Sequence, residues 1–130
     1  MINKVSTVSI FVKDQNRAKE FYTKVLGFDL RADNPLYPGA ENRWLVVAPS
    51  GAETEITLYL VDENWEHYHQ VVGQSQALTF GVSNLNSLHA ELTNRGVTFV
   101  QEPDTQPWGT YAIIEDSEGN RLILVEQSEQ

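Results

Sequence analysis

Apolar and polar residues alternate along this chain with two different periods, and the switch from one to the other happens twice. Over residues 7–12, Val8, Ile10 and Val12 alternate with Thr7, Ser9 and Phe11, the period of two that gives a strand one covered face. Ala18, Phe21, Tyr22, Val25 and Leu26 then fall at i, i+3, i+4, i+7 and i+8, the stripe of one amphipathic helix. Asp14 is placed to cap its start, and Gly27 sits where a left-handed residue would end it. About seventy residues later the plan returns, which points to an internal duplication. Leu78, Phe80 and Val82 alternate with Thr79 and Gly81, Asn84 can cap, Leu85, Leu88, His89 and Leu92 form the stripe, and Gly96 closes it.

Each half carries two further strand patterns. In the first these are residues 43–48 and 55–61, joined by Pro49, Ser50 and Gly51; in the second they are 110–115 and 121–126, joined by 116–120. A short extra strand fits around 29–32 and again around 98–101. The pattern predicts one α+β domain of two halves, module one over about 5–61, a linker over about 62–76 and module two over about 77–126. A chain of 130 residues with 41% hydrophobic content holds one real core but not two independent ones.

Charge and composition narrow the function. The net charge of -9 repels phosphate backbones and anionic lipid, so neither nucleic acid nor membrane is an expected partner. There is no cysteine, hence no disulfide framework and no thiolate nucleophile. No run resembles a secretory signal or reaches the length of a membrane span, so a cytoplasmic protein is expected. Nucleophile elbow, Gly-rich phosphate loop, Walker lysine and dinucleotide fingerprint are all missing from the sequence.

Strand faces supply the candidate site. If the apolar set of each strand meets the helices, then Thr7, Ser9, Phe11, Glu55, Thr57, Tyr59, Thr79, Tyr111 and Ile123 face the other way, toward a cavity. Trp44 either fills the core or floors a pocket, and Trp108, delivered by the Pro-bounded stretch 103–108, either rims the site or closes the end of the sheet. Glu55 reads as a ligand-binding or general-base carboxylate, or as a strand-end charge reaching solvent. The excursion 29–42 is a candidate lid or rim, or a solvated loop with Tyr37 folded back for cover. His67 and His69 would point one way on a strand, but they lie in a polar linker where a solvated reading is simpler; His89 reads as helix-to-sheet packing.

The run FVKDQNRAKEFYTKVLGF, the APSG turn and the closing WGTYAIIEDSEGNRLILVE resemble the vicinal oxygen chelate superfamily of glyoxalase I, extradiol dioxygenases and bleomycin and fosfomycin resistance proteins. The resemblance implies tandem βαβββ modules whose strands curl into a half-open sheet around a cavity, usually completed in a homodimer. It also implies metal ligands at four inner-strand positions, which fall here on Thr7, Glu55, Ala77 and Ile123. Only Glu55 among them could ligate, so the chain departs from the family where its metal enzymology resides. What this resembles is the bleomycin-resistance type: a metal-free, cofactor-free, homodimeric protein binding an amphipathic, aromatic or cationic organic ligand. The alternatives are an enzyme, lyase, isomerase or dioxygenase-like, with a non-standard metal site or with Glu55 as general base beside Tyr59, and a regulatory protein in which the cavity is vestigial.

Overall fold

The computed structural model describes residues 1–61, 72–73 and 78–127. The predicted linker falls almost wholly outside them, and with it His67, His69 and Ala77. The backbone groups into two compact units, Met1–Gly73 and Gln74–Gln130.

In the first unit, β1 (Thr7–Val12) leads into α1 (Gln15–Glu20), followed by β2 (Asp29–Pro35), β3 (Arg43–Ala48) and β4 (Glu55–Leu60). The sheet order is β1-β4-β3-β2, with β1 parallel to β4 and the other pairs antiparallel. The second unit repeats this with β5 (Leu78–Gly81), α2 (Leu85–Asn94), β6 (Phe99–Gln106), β7 (Gly109–Glu115) and β8 (Arg121–Gln127). Its order, β5-β8-β7-β6, is the same permutation, again with first and last strands parallel. Both sheets are open and mixed, and with one helix each they make the α+β fold that the periodicity predicts.

The helices start and stop where the side chains predict. Asp14 accepts the Arg17 N–H at 3.0 Å and Asn84 accepts the Ser87 N–H at 3.1 Å, which satisfies donors left free at each N-terminus. Gly27 and Gly96 take φ of +79° and +84°, values that turn the chain back toward the sheet. One feature has no counterpart in the stripe: past Glu20 the first helix widens into a π-helical turn, Phe21–Val25, in which the Leu26 N–H reaches back to the Phe21 carbonyl. Tyr22, on this turn, is wholly buried and packs between the rings of Phe21 and Phe28.

Under α1 the core is Ile10, Val12, Leu45, Val47, Ile56 and Leu58; in the second unit Ala112, Ile114, Leu122 and Leu124 are buried on the side of α2, with Leu85 and Leu92. Gln15 is buried among the first set. Its Nε2 donates to the carbonyls of Leu58 (2.8 Å) and Arg43 (3.0 Å), and its Oε1 accepts the Arg43 N–H (3.1 Å), so one amide ties α1 to β3 and β4. At the edge of the same face Asp33 accepts from Lys19 and Arg43, each at 2.8 Å.

The short extra strands expected around 29–32 and 98–101 are present and run further than the pattern predicts, into the excursion and the Pro-bounded stretch read as a loop. Half of the excursion 29–42 is edge strand β2, leaving a turn in which Tyr37 is 65% exposed rather than folded back for cover. Likewise the Pro-bounded stretch belongs to β6, which reaches Gln106 and turns through Pro107 and Trp108 into β7. Pro35 and Pro103 hid how far both strands run, because proline ends a strand pattern in sequence yet is tolerated where no ladder donor is needed.

Candidate functional site

Register decides which side chains share a face. In the first sheet Thr7 lies opposite Glu55, Ser9 opposite Thr57, Phe11 opposite Tyr59 and Thr57 opposite Val46. These residues, with Trp44 opposite Asn34, occupy the face turned away from α1, as the strand pattern predicts. Phe11 and Tyr59 meet edge to face with ring centroids 6.1 Å apart. Trp44 is 40% exposed, so it surfaces that face instead of filling the core. Thr57 is 1% exposed, and its hydroxyl has no hydrogen-bond partner among the described residues.

Glu55 is not a free carboxylate. Leu30 pairs with Val47 and Ala32 with Val46, so Arg31 is the extra residue of a β-bulge and is displaced toward the open face. Its Nη1 donates to Glu55 Oε2 at 3.0 Å, while Nη2 donates to the Pro49 and Ala52 carbonyls at 3.3 and 3.1 Å. Arg31 therefore neutralises Glu55 and staples the β3–β4 turn at once. Sequence reasoning missed it because a bulge is invisible to a period-two pattern.

In the second sheet Thr79, Ile123, Ile113 and Gln101 lie in one cross-strand row, and Gly81, Val125, Tyr111 and Asp104 in the next. At the β6–β7 turn Trp108 is 52% exposed and its ring lies against Tyr111, centroids 5.7 Å apart and planes tilted by 31°. Asp104, directly opposite Tyr111, accepts from Gln106 Nε2 at 3.1 Å. Asp104 was hidden in the stretch read as a loop; read as a strand, its i,i+2 relation to Gln106 would have shown that the two share a face. An open depression of about 740 Å³ lies beside Thr79, Gly81 and Val125, and there Glu126 Oε1 accepts the Leu85 N–H at the start of α2.

The histidine of α2 serves packing, with a polar addition. His89 meets the Phe99 ring edge to face at 4.7 Å and forms an ion pair with Glu102 when protonated.

At the implied ligand positions that are described, the donors do not fit a divalent ion. Thr7 offers only a hydroxyl, Glu55 is held by Arg31, and Ile123 has no donor. No group of three or more His, Cys, Asp or Glu that could hold a metal occurs among the described residues. Nor is any helix among them long and apolar enough to cross a membrane.

Similarity to known proteins agrees with this architecture. A family profile described as Glyoxalase/Bleomycin resistance protein/Dioxygenase superfamily matches residues 4–124. The uncharacterised protein YetH of Bacillus subtilis (strain 168) is 35% identical over 129 residues, which is 97% of this chain and 100% of YetH. Among solved structures, TnmS3, described as an antibiotic binding protein from Streptomyces sp. CB03234, is 38% identical with a TM-score of 0.80 and 98% coverage of both chains. UcmS2 is 35% identical with a TM-score of 0.82, covering 96% of this chain and 98% of its own. With the tandem βαβββ order, these matches establish that the chain belongs to the glyoxalase/bleomycin resistance protein/dioxygenase superfamily.

Proposed function

We propose that the chain is a small-molecule-binding protein that works without a metal ion, holding an amphipathic aromatic ligand on the open faces of its sheets, and that it does so as a homodimer. The observation that carries this reading is the placement of aromatic surface. Trp44 and Trp108 are 40% and 52% exposed, on sheet faces that also offer the Ser9 hydroxyl and the Phe11, Tyr59 and Tyr111 rings. Large rings cost free energy in water, and stacking area with a few orienting hydroxyls is what an aromatic ligand requires. Similarity to TnmS3, described as antibiotic-binding, supports the same class. The pairing of Glu55 with Arg31 supports binding over general-base chemistry, because one of its two carboxylate oxygens already accepts a guanidinium N–H.

Titration calorimetry and thermal shift against a panel of polycyclic aromatic compounds test the proposal. A binder should raise the melting temperature by an amount that grows with the logarithm of its concentration above Kd, and Trp44→Ala or Trp108→Ala should each weaken it about tenfold, a loss of about 1.4 kcal/mol. Excess EDTA should leave the affinity unchanged, and elemental analysis should find no stoichiometric ion. A stoichiometric metal, or a panel in which nothing shifts the transition, overturns the reading. Light scattering should return twice the 14.7 kDa chain mass.

A further inference from the structure

We infer that the tip of the β6–β7 hairpin recognises an organic cation, and that Asp104 selects for its charge while Trp108 and Tyr111 supply the surface on which it rests. This rests on the ligand-binding reading above and narrows it to a ligand class. Three observations within the second unit converge on it. The Trp108 and Tyr111 rings lie 5.7 Å apart, and Trp108 is 52% exposed, too open for a ring whose purpose is to fill a core. The register sets Asp104 directly across from Tyr111, so carboxylate and rings share one end of one sheet face. And Asp104 accepts only from the neutral Gln106 amide, with no Lys, Arg or His among the described residues within ion-pair range.

That last point separates Asp104 from the carboxylate the sequence singled out. Glu55 meets Arg31, and Asp33 meets both Lys19 and Arg43. Their charge is spent inside the protein. At Asp104 it meets no cationic side chain among the described residues, and it lies across from Tyr111, whose ring quadrupole, like that of Trp108, also attracts positive charge and repels negative charge. The net charge of -9 adds a long-range field of the same sign. The group this corner would hold is therefore a flat or alkylated ammonium, guanidinium or ring-nitrogen cation.

Two probes with the same rings and different charge decide it: N-methylacridinium and acridine, titrated into the intact protein by calorimetry at pH 8 and low salt. The cation should bind about tenfold tighter than acridine. Asp104→Asn, which keeps an acceptor for Gln106, should weaken the cation about fivefold and leave acridine unchanged. Trp108→Ala should weaken both, and circular dichroism should show the fold intact in each variant. Glu91→Gln removes the same unit of charge from α2 and should alter neither affinity. Equal affinity for the two probes, or equal losses in Asp104→Asn and Glu91→Gln, overturns the inference. If both probes bind alike and both are lost in Trp108→Ala, the binding reading stands and the charge selection falls. If neither probe binds at millimolar concentration, both fall.

Discussion

Gln15 is a polar residue that does a core residue's job, and its cost of removal can be estimated. Three backbone groups, the buried Leu58 carbonyl and the half-buried Arg43 carbonyl and N–H, depend on its amide. Gln15→Ala should destabilise the protein by about 2–4 kcal/mol in urea unfolding, because each orphaned group keeps its desolvation penalty. Asp33 gives a pH-dependent counterpart. Burial alone would raise its carboxyl, but the hydrogen bonds and charges of Lys19 and Arg43 outweigh that and hold it below its usual value. A carboxyl lowered in the folded state binds its proton less readily there than in the unfolded chain. Its stabilisation is thus present above the unfolded value of about 3.9 and is lost as pH falls through the lower folded value. Acid titrations of Asp33→Asn should lack that part of the loss, and the variant should be less stable than the parent at pH 7. Caps such as Asp14 and Asn84 were legible in the sequence because they act on their own helix. Gln15, Arg31 and Asp33 were not, because their partners lie on other elements and turns, distant in sequence.

At the scale of elements, period and punctuation carried most of the information. The inner strands and both helices follow from alternation and stripe, since one face of each is buried. The outer strands β2 and β6 were legible only as short segments around 29–32 and 98–101, because Asp33, Asn34, Pro35, Pro103 and Asp104 lack strand propensity, and an edge strand needs little. The π-helical turn escaped, for Phe21, Tyr22 and Val25 suit either winding. The turn delivers the chain to Gly27, at φ +79°, where an added Cβ would meet nothing within 4 Å. Gly27→Ala should therefore cost about 1–2 kcal/mol, the penalty of a left-handed alanine without added steric clash. A larger loss in urea unfolding would mean that the turn itself had rearranged.

For the molecule as a whole, the duplicated strand-helix-strand-strand plan was legible, and the identical strand permutation in the two units agrees with it. The candidate strand residues of the first sheet sit on the face that alternation assigned them, but which carboxylate stays unneutralised depends on a bulge and a hairpin register that no periodicity encodes. The shared permutation also dictates an order of events during synthesis. In each unit the first strand hydrogen-bonds in parallel with the last, β1 with β4 and β5 with β8. A nascent chain must therefore hold its opening strand unpaired until the closing strand leaves the ribosome. Ending the chain at Asn120 would remove β8 and leave both β5 and β7 with bare edges, so hydrogen exchange on that fragment should find the amides of β5 to β7 unprotected. The last seven residues of ordered strand, Arg121–Gln127, act as a latch, and a ribosome that stalls before them releases a chain with adhesive edges in place of a finished sheet.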